Sequence, residues 1–270
     1  LPYTDCSPGF GSVAKYVATS TLEAGLDVKS MAETSTKVFI LEVMGRHAGW
    51  IAAASCLAAS NQGDPPHIIL LPEVPFEKGK FIAQVKQTVK SNGYCVIVAS
   101  EGTKTKAGKF LADSGLTDAF GHKQLGGVAP VISSMISKIG LKNHWAVADY
   151  LQRSARHIAS KTDLDQAYAV GEHAVKLAVA GKTAVMPIIK RISDSPYKWK
   201  IATAPLKNIA NVEKSMPRKF ISKNGFEITS AGRKYLSPLI QGEAPTNFKF
   251  GIPEVASLKK TFVKKKLKEF

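Results

Sequence analysis

The sequence predicts an α/β fold, a parallel sheet layered between helices with a C-terminal extension, and three observations carry that prediction. Short apolar runs alternate with helix-patterned segments along the first two thirds of the chain. Several of those runs are apolar throughout rather than alternating, as strands covered on both faces should be. Strand and helix patterns taking turns require crossovers that place helices on both faces of one sheet. With 270 residues, 44% of them hydrophobic, the chain has ample material for a sizeable core.

Six runs read as strands, being short, rich in β-branched or aromatic residues and bounded by turn residues: 37–43, 67–71, 94–100, 145–151, 182–190 and 199–204. Helical patterns fill the gaps at 11–32, 48–60, 76–91, 128–139 and 163–180. In the third, Phe81, Ile82, Val85 and Val89 are spaced for one face; the fourth begins after Gly126-Gly127. The last is the clearest, with Thr162 as its N-cap, Asp163 and Asp165 in the first turn and Gly181 at its end. Leu164, Ala167, Tyr168, Gly171, Val175 and Ala178 share one stripe of it. From about Ser193 the chain turns richer in Pro, Lys and short elements, so residues 1–192 read as the α/β body and 193–270 as an extension packed on it.

Lysine and arginine exceed acidic residues by 37 − 21 = 16. The densest basic run, Lys259-Lys260 through Lys264-Lys265-Lys266 and Lys268, is terminal and reads as a solvated tail. Without aromatic–basic interleaving or a recognition motif, nucleic acid is not the expected partner. The excess fits a protein that handles phosphate esters. Cys6, Cys56 and Cys95 are widely separated and show no metal-ligand spacing. With no leader and no apolar stretch of ~18 residues, the expected setting is the reduced cytoplasm, away from membranes. The chain opens on Leu1 and its first methionine is Met31, so it reads as cut from something longer.

Ligands of such sheets bind beyond the carboxyl ends of the strands, and charged residues stand at three of those ends. Arg46 follows the run 37–43, where Gly45-Arg46 turns into a helix. A helix start attracts anions through its unpaired N–H groups, so this corner is a candidate phosphate site. Glu101 follows 94–100, and Arg153 follows 145–151, with Arg156 and His157 beyond. Arginine gives planar, bidentate recognition of phosphate oxygens, and a carboxylate beside it accepts hydrogen bonds from sugar hydroxyls. The set describes a sugar phosphate. Lys37 and His144 stand instead at strand starts. At ~3.3 Å per residue, Lys37 and Arg46 lie roughly 30 Å apart if extended. If either contacts substrate, it should reach the pocket of a neighbouring subunit. There is no Walker glycine loop, no dinucleotide-binding glycine motif, no nucleophile elbow and no acidic pair placed as metal ligands.

At these residues the sequence resembles the phosphofructokinase family. Glu42-Val43-Met44-Gly45-Arg46, Pro72-Glu73-Val74, Ser100-Glu101-Gly102 and Tyr150-Leu151-Gln152-Arg153 occur in that family's order and approximate spacing. The pyrophosphate-dependent branch is the nearest, on the stretch from Met44 to Trp50, Phe120-Gly121-His122, Leu125-Gly126-Gly127-Val128-Ala129-Pro130 and Tyr150 through Lys161. Met186-Pro187, Asn211-Val212-Glu213-Lys214 and Met216-Pro217-Arg218 extend the similarity over essentially the whole chain. The ATP-using branch usually has His where Tyr150 stands and Gly-Gly where this chain has Ser154-Ala155. At Asn61 and Gln62 the acidic residue of a bacterial effector site is missing.

The resemblance implies phosphoryl transfer from pyrophosphate to the 1-hydroxyl of fructose 6-phosphate, giving fructose 1,6-bisphosphate, with Mg2+ in a homo-oligomer. By position, Met44 and Gly45 would line the sugar and Arg46, the catalytic candidate, would face the phosphoryl group. Glu101 would hold sugar hydroxyls. Tyr150 and Arg153, with Leu151 and Gln152 between them, would bind the 6-phosphate, and Lys37 and His144 would serve the adjacent subunit. The family's donor loop, magnesium aspartate and catalytic base are expected upstream of Leu1, so these residues alone are expected not to turn over. Two rivals are an ATP-dependent enzyme and a non-catalytic sugar-phosphate-binding or regulatory subunit.

Overall fold

The computed structural model describes residues 1–117, 123–125, 127–262 and 264–265. Phe120, Gly121, His122, Gly126, Lys266 and Lys268 of the sequence reading lie outside them.

Four strands form the central sheet: β1 (Val38–Val43), β2 (Ile68–Leu70), β3 (Cys95–Ser100) and β6 (Asn143–Val147), in the order β2-β3-β1-β6. Every pairing between them is parallel, with Val38 opposite Cys95 and Val43 opposite Ser100 across the central pair. Two short strands, β4 (Asp113–Thr117) and β5 (Lys123–Leu125), form a separate antiparallel pair between β3 and β6.

The side-chain alternation of the strands builds two half-cores. Val38 and Ile40 of β1 and Cys95, Ile97 and Ala99 of β3 point to one face, where Phe81 and Val85 of α3 (Lys78–Asn92) and Ile132 and Ile136 of α4 (Val128–Ser137) cover them. Leu41, Val43 and Val98 point to the other, beneath Val17 of α1 (Phe10–Met31) and Ala52 and Ala53 of α2 (Trp50–Ala54). Met216, Phe220, Ile221 and Leu236 close the second half-core, so the C-terminal segment, with α7 (Ser230–Leu236), packs directly on the body. All six residues of β3 are buried, which explains its unbroken apolar sequence.

Three expectations are corrected. The run 145–151 is not one strand: β6 ends at Val147, Asp149 adopts φ 37°, and Leu151–Ser154 forms the short helix α5. The left-handed Asp149 breaks the strand, and the neighbouring Gln152 amide bonds its carbonyl at 2.8 Å. The two later runs do not join the parallel sheet either. They form β7 (Val185–Asp194) and β8 (Tyr197–Pro205), an antiparallel hairpin of their own. Two residues, Ser195-Pro196, separate them, which suffices for a hairpin and is far too few for a parallel crossover. β7 runs on through residue 192 to Asp194. Finally, α6 (Lys161–Val179) is capped by Ser160, whose Oγ accepts the Asp163 N–H, and not by Thr162.

The apolar stripe of α6 faces outward, with Tyr168 78% exposed, while Asp163 and Gln166 are buried. Those two polar side chains are used in tertiary bonds. Asp163 accepts the N–H groups of Gly9 and Ser12 at 2.8 and 2.9 Å and caps α1, which has no cap of its own. Gln166 accepts from Cys6 Sγ and donates to the Tyr197 hydroxyl.

Candidate functional site

Beyond Val43 the chain must leave the sheet and enter α2 within six residues, and neighbouring strand ends fix its path. Gly45 sits at φ 141°, where a Cβ would stand 2.9 Å from both the Ala48 carbonyl oxygen and Ser100 Oγ. Ser100 Oγ donates to the Gly45 carbonyl at 2.5 Å, and the Gly45 N–H donates to Glu101 Oε1 at 3.1 Å. Gly102 lets the loop come closer still: a Cβ there would be 2.0 Å from the Arg46 carbonyl oxygen. Arg46 is thus carried, half-buried, on a loop held from below by the end of β3.

At the start of α2 the chain's own Glu73 accepts the Gly49 N–H with its two carboxylate oxygens at 3.0 and 3.1 Å. That carboxylate takes one backbone N–H at the positive end of the helix, beside the Arg46 corner.

The β6 end contributes the second group. Gln152 is buried; its Oε1 accepts the Met44 N–H at 3.3 Å and its Nε2 holds the Asp149 carbonyl, so its side chain braces the loop. Tyr150, Leu151 and Arg153 are exposed around it. The Arg153 guanidinium lies 4.3 Å from the centre of the Tyr150 ring, a cation–π stack that preorganises a flat cationic surface. Met44 and Gly45 therefore donate consecutive N–H groups to Gln152 and Glu101, and this pair of bonds brings the three strand ends into one site.

Lys37 and His144 stand at the opposite edge of the sheet. Lys37 precedes β1, and its ammonium donates to the Ala32 carbonyl at 2.5 Å, closing the C-terminal end of α1. His144 pairs with Phe39 in β6 and is exposed. Neither joins Arg46 within one subunit.

Several side chains at the site have partners that the sequence could not name. Glu42 is 5% exposed at the end of β1, where its carboxylate accepts the Ala129 N–H at 2.8 Å. Burial pushes its pKa up; that hydrogen bond opposes the rise, and the nearby Glu101 charge adds to it. Next to Arg46 opens a cleft of about 380 Å³, lined in part by His47, Trp50, Glu213 and Lys214 and by the N-terminal residues Asp5 and Cys6. A buried polar network fixes that N-terminal segment. Arg191 pairs with Asp5 at 2.9 Å, and Lys214 Nζ donates to the carbonyls of Thr4 and Asp5 and to the Tyr235 hydroxyl. Burial lowers the Lys214 pKa and raises that of Tyr235. Only the exact partners were hidden: Lys214 itself stands in the quoted Asn211-Val212-Glu213-Lys214 motif.

Comparison with known proteins gives the family. The phosphofructokinase family signature matches residues 1–178. Over 271 residues the chain is 64% identical to a pyrophosphate–fructose 6-phosphate 1-phosphotransferase of Halomonas elongata, covering 100% of this chain and 65% of the relative. A protein of the same name from Methylococcus capsulatus is 56% identical, covering 99% of this chain and 64% of its own length. The crystal structure of a pyrophosphate-dependent phosphofructokinase from Marinobacter aquaeolei superposes with a TM-score of 0.89 at 57% identity, over 99% of this chain and 64% of that one. The chain thus spans a little under two thirds of the length of these relatives. With its parallel sheet, its loop from Met44 to Arg46 and its signature over two thirds of its residues, the chain belongs to the phosphofructokinase family.

Proposed function

We propose that this chain is the sugar-phosphate acceptor portion of a pyrophosphate-dependent 6-phosphofructokinase. The observation that carries the reading is the convergence of Arg46, Glu101 and Arg153 through the consecutive Met44 and Gly45 amides. Fructose 6-phosphate lies across that loop. Its 6-phosphate rests on the exposed Arg153–Tyr150 stack, where a planar guanidinium forms paired, charge-assisted bonds to phosphate oxygens. One Glu101 oxygen is engaged by Gly45, and the carboxylate's remaining acceptor capacity takes sugar hydroxyls. Arg46 lies beside the cleft in which the 1-hydroxyl meets the phosphoryl group, and offers positive charge as charge moves between oxygens.

The reaction also needs a base for the attacking hydroxyl and neutralisation of the donor. Among the described residues no group of three or more His, Cys, Asp or Glu side chains is placed to hold a metal ion. The present residues do not fit the magnesium that the family resemblance implies, and no step here runs through it. Lys37 and His144, at the far sheet edge, serve a neighbouring subunit's pocket in a homo-oligomer. The proposed setting is the cytoplasm; no helix among the described residues is long and apolar enough to cross a membrane.

The test joins this chain to the remaining third of the Halomonas elongata relative and measures fructose 1,6-bisphosphate formation. The reading predicts turnover with pyrophosphate and none with ATP, abolished by Arg153→Ala, and no turnover by the 270-residue chain alone. Turnover with ATP but not pyrophosphate favours the ATP-dependent alternative. Sugar-phosphate binding without turnover from either donor favours a regulatory subunit.

A further inference from the structure

We infer that Glu73 is a positioning residue for the Arg46 loop, and that through it the segment 211–216 of the C-terminal extension becomes part of the sugar-phosphate site. The inference rests on the acceptor-site reading above for its functional consequence, though not for its geometry.

Three tethers join that segment to the loop, and they arise from different chemistry. His47 Nδ1 meets Glu213 Oε1 at 2.5 Å. Trp50 Nε1 donates to the Lys214 carbonyl at 2.7 Å. Glu73 forms the third by bridging: it accepts the Gly49 N–H with both oxygens and the Met216 N–H at 3.1 Å with Oε1. The loop presses against this bridge, since a Cβ on Gly49 would stand 2.9 Å from Glu73 Oε2 and 2.6 Å from Leu71 Cδ2.

The far side of the segment is anchored as firmly. Lys214 Nζ holds the Thr4 and Asp5 carbonyls and the Tyr235 hydroxyl, and Met216 is 4% exposed in the core. Glu73 itself follows β2 and Leu71, which is 1% exposed. The carboxylate is therefore fixed to the sheet and grips two backbone segments by their amides, three residues downstream of Arg46 on one side. Glu73 is the tether that reaches the backbone of the distal half, beside the side-chain tethers of His47 and Trp50, while Glu101 and Ser100 hold Gly45 at the proximal end. Without Glu73 the distal end keeps only the His47 and Trp50 side-chain tethers, to a segment itself released at Met216, and a guanidinium displaced by about 1 Å from a reacting group costs on the order of 10²-fold.

The experiment compares the chain with Glu73→Ala and Trp50→Phe, reading amide hydrogen exchange residue by residue and fructose 6-phosphate affinity by calorimetry. In Glu73→Ala, which removes the acceptor of both amides, exchange at residues 45–48 should rise at least tenfold, along with Gly49 and Met216, while the β1 and β3 amides stay unchanged and report an intact fold. Affinity should fall at least tenfold. Trp50→Phe keeps an aromatic ring but removes the hydrogen bond to the Lys214 carbonyl and should speed the same loop amides to a smaller degree, which keeps the test decisive if Glu73→Ala unfolds. Faster exchange confined to Gly49 and Met216, or Trp50→Phe leaving residues 45–48 unaltered, overturns the inference. If the parent chain binds no sugar phosphate while the exchange results hold, the acceptor reading fails and the positioning role stands.

Discussion

Gly102→Ala is the sharpest perturbation the structure offers, because a single methyl group collides with backbone. The added Cβ would stand 2.0 Å from the Arg46 carbonyl oxygen, 2.4 Å from its carbon and 2.5 Å from the Gly45 carbonyl oxygen. Contacts under 3.0 Å essentially never occur, so the loop must retreat by about 1 Å. The Gly45 N–H to Glu101 bond, 3.1 Å long, does not survive such a shift. Overpacking costs about 1–3 kcal/mol and the lost hydrogen bond about 1 kcal/mol, so the substitution should destabilise the fold by about 2–4 kcal/mol. Arg46 moves with the loop, and sugar-phosphate affinity should fall by more than tenfold. Urea unfolding followed by circular dichroism, with calorimetry on the folded fraction, measures both. A variant within about 0.5 kcal/mol of the parent and with unchanged affinity would show that β3 does not dictate the path of the Arg46 loop.

Three further outcomes follow from particular side chains. Asp163→Ala strips the cap from α1 and should cost about 2 kcal/mol in urea, since Gly9 and Ser12 lose their acceptor. Burial raises the Glu42 pKa above its ordinary 4.5, so the folded chain holds that proton more tightly than the unfolded one. Its contribution to stability is then present below pH 4.5 and is lost as the pH rises through the raised value, at up to about 1.4 kcal/mol per pH unit. Glu42→Gln should remove that part of the slope in pH-dependent unfolding, and an unchanged slope would contradict the assignment. The thiols of Cys6 and Cys56 are pushed up to about 12 by burial, and Cys95 is fully buried. A disulfide-exchange reagent at pH 8 should therefore label none of the three in the native chain and all three in urea.

The legible parts of this molecule are those governed by local pattern. The strands β1, β2 and β3 were readable because continuous apolar runs are what a doubly covered sheet demands. Arg46, Glu101 and Arg153 were readable because parallel strands deliver their C-terminal residues to one edge. The end of β6 was not, since Asp149 adopts a left-handed conformation stabilised by a Gln152 side chain that also braces Met44. Ser160 and Thr162 are equally good caps by residue type, and the choice between them is made by where the chain docks: Ser160 Oγ also donates to the Leu239 carbonyl. The same holds for Glu73, Ser100 and Gly102. Their roles are contacts with a loop 24 to 56 residues away in sequence, which no local periodicity encodes.

The acceptor site is the central claim, and fructose 6-phosphate binding by calorimetry to the chain and to Arg153→Ala tests it most directly. The account predicts millimolar or tighter binding by the parent and its loss in the variant, because the 6-phosphate rests on the Arg153–Tyr150 stack. Binding that survives Arg153→Ala unchanged would contradict it.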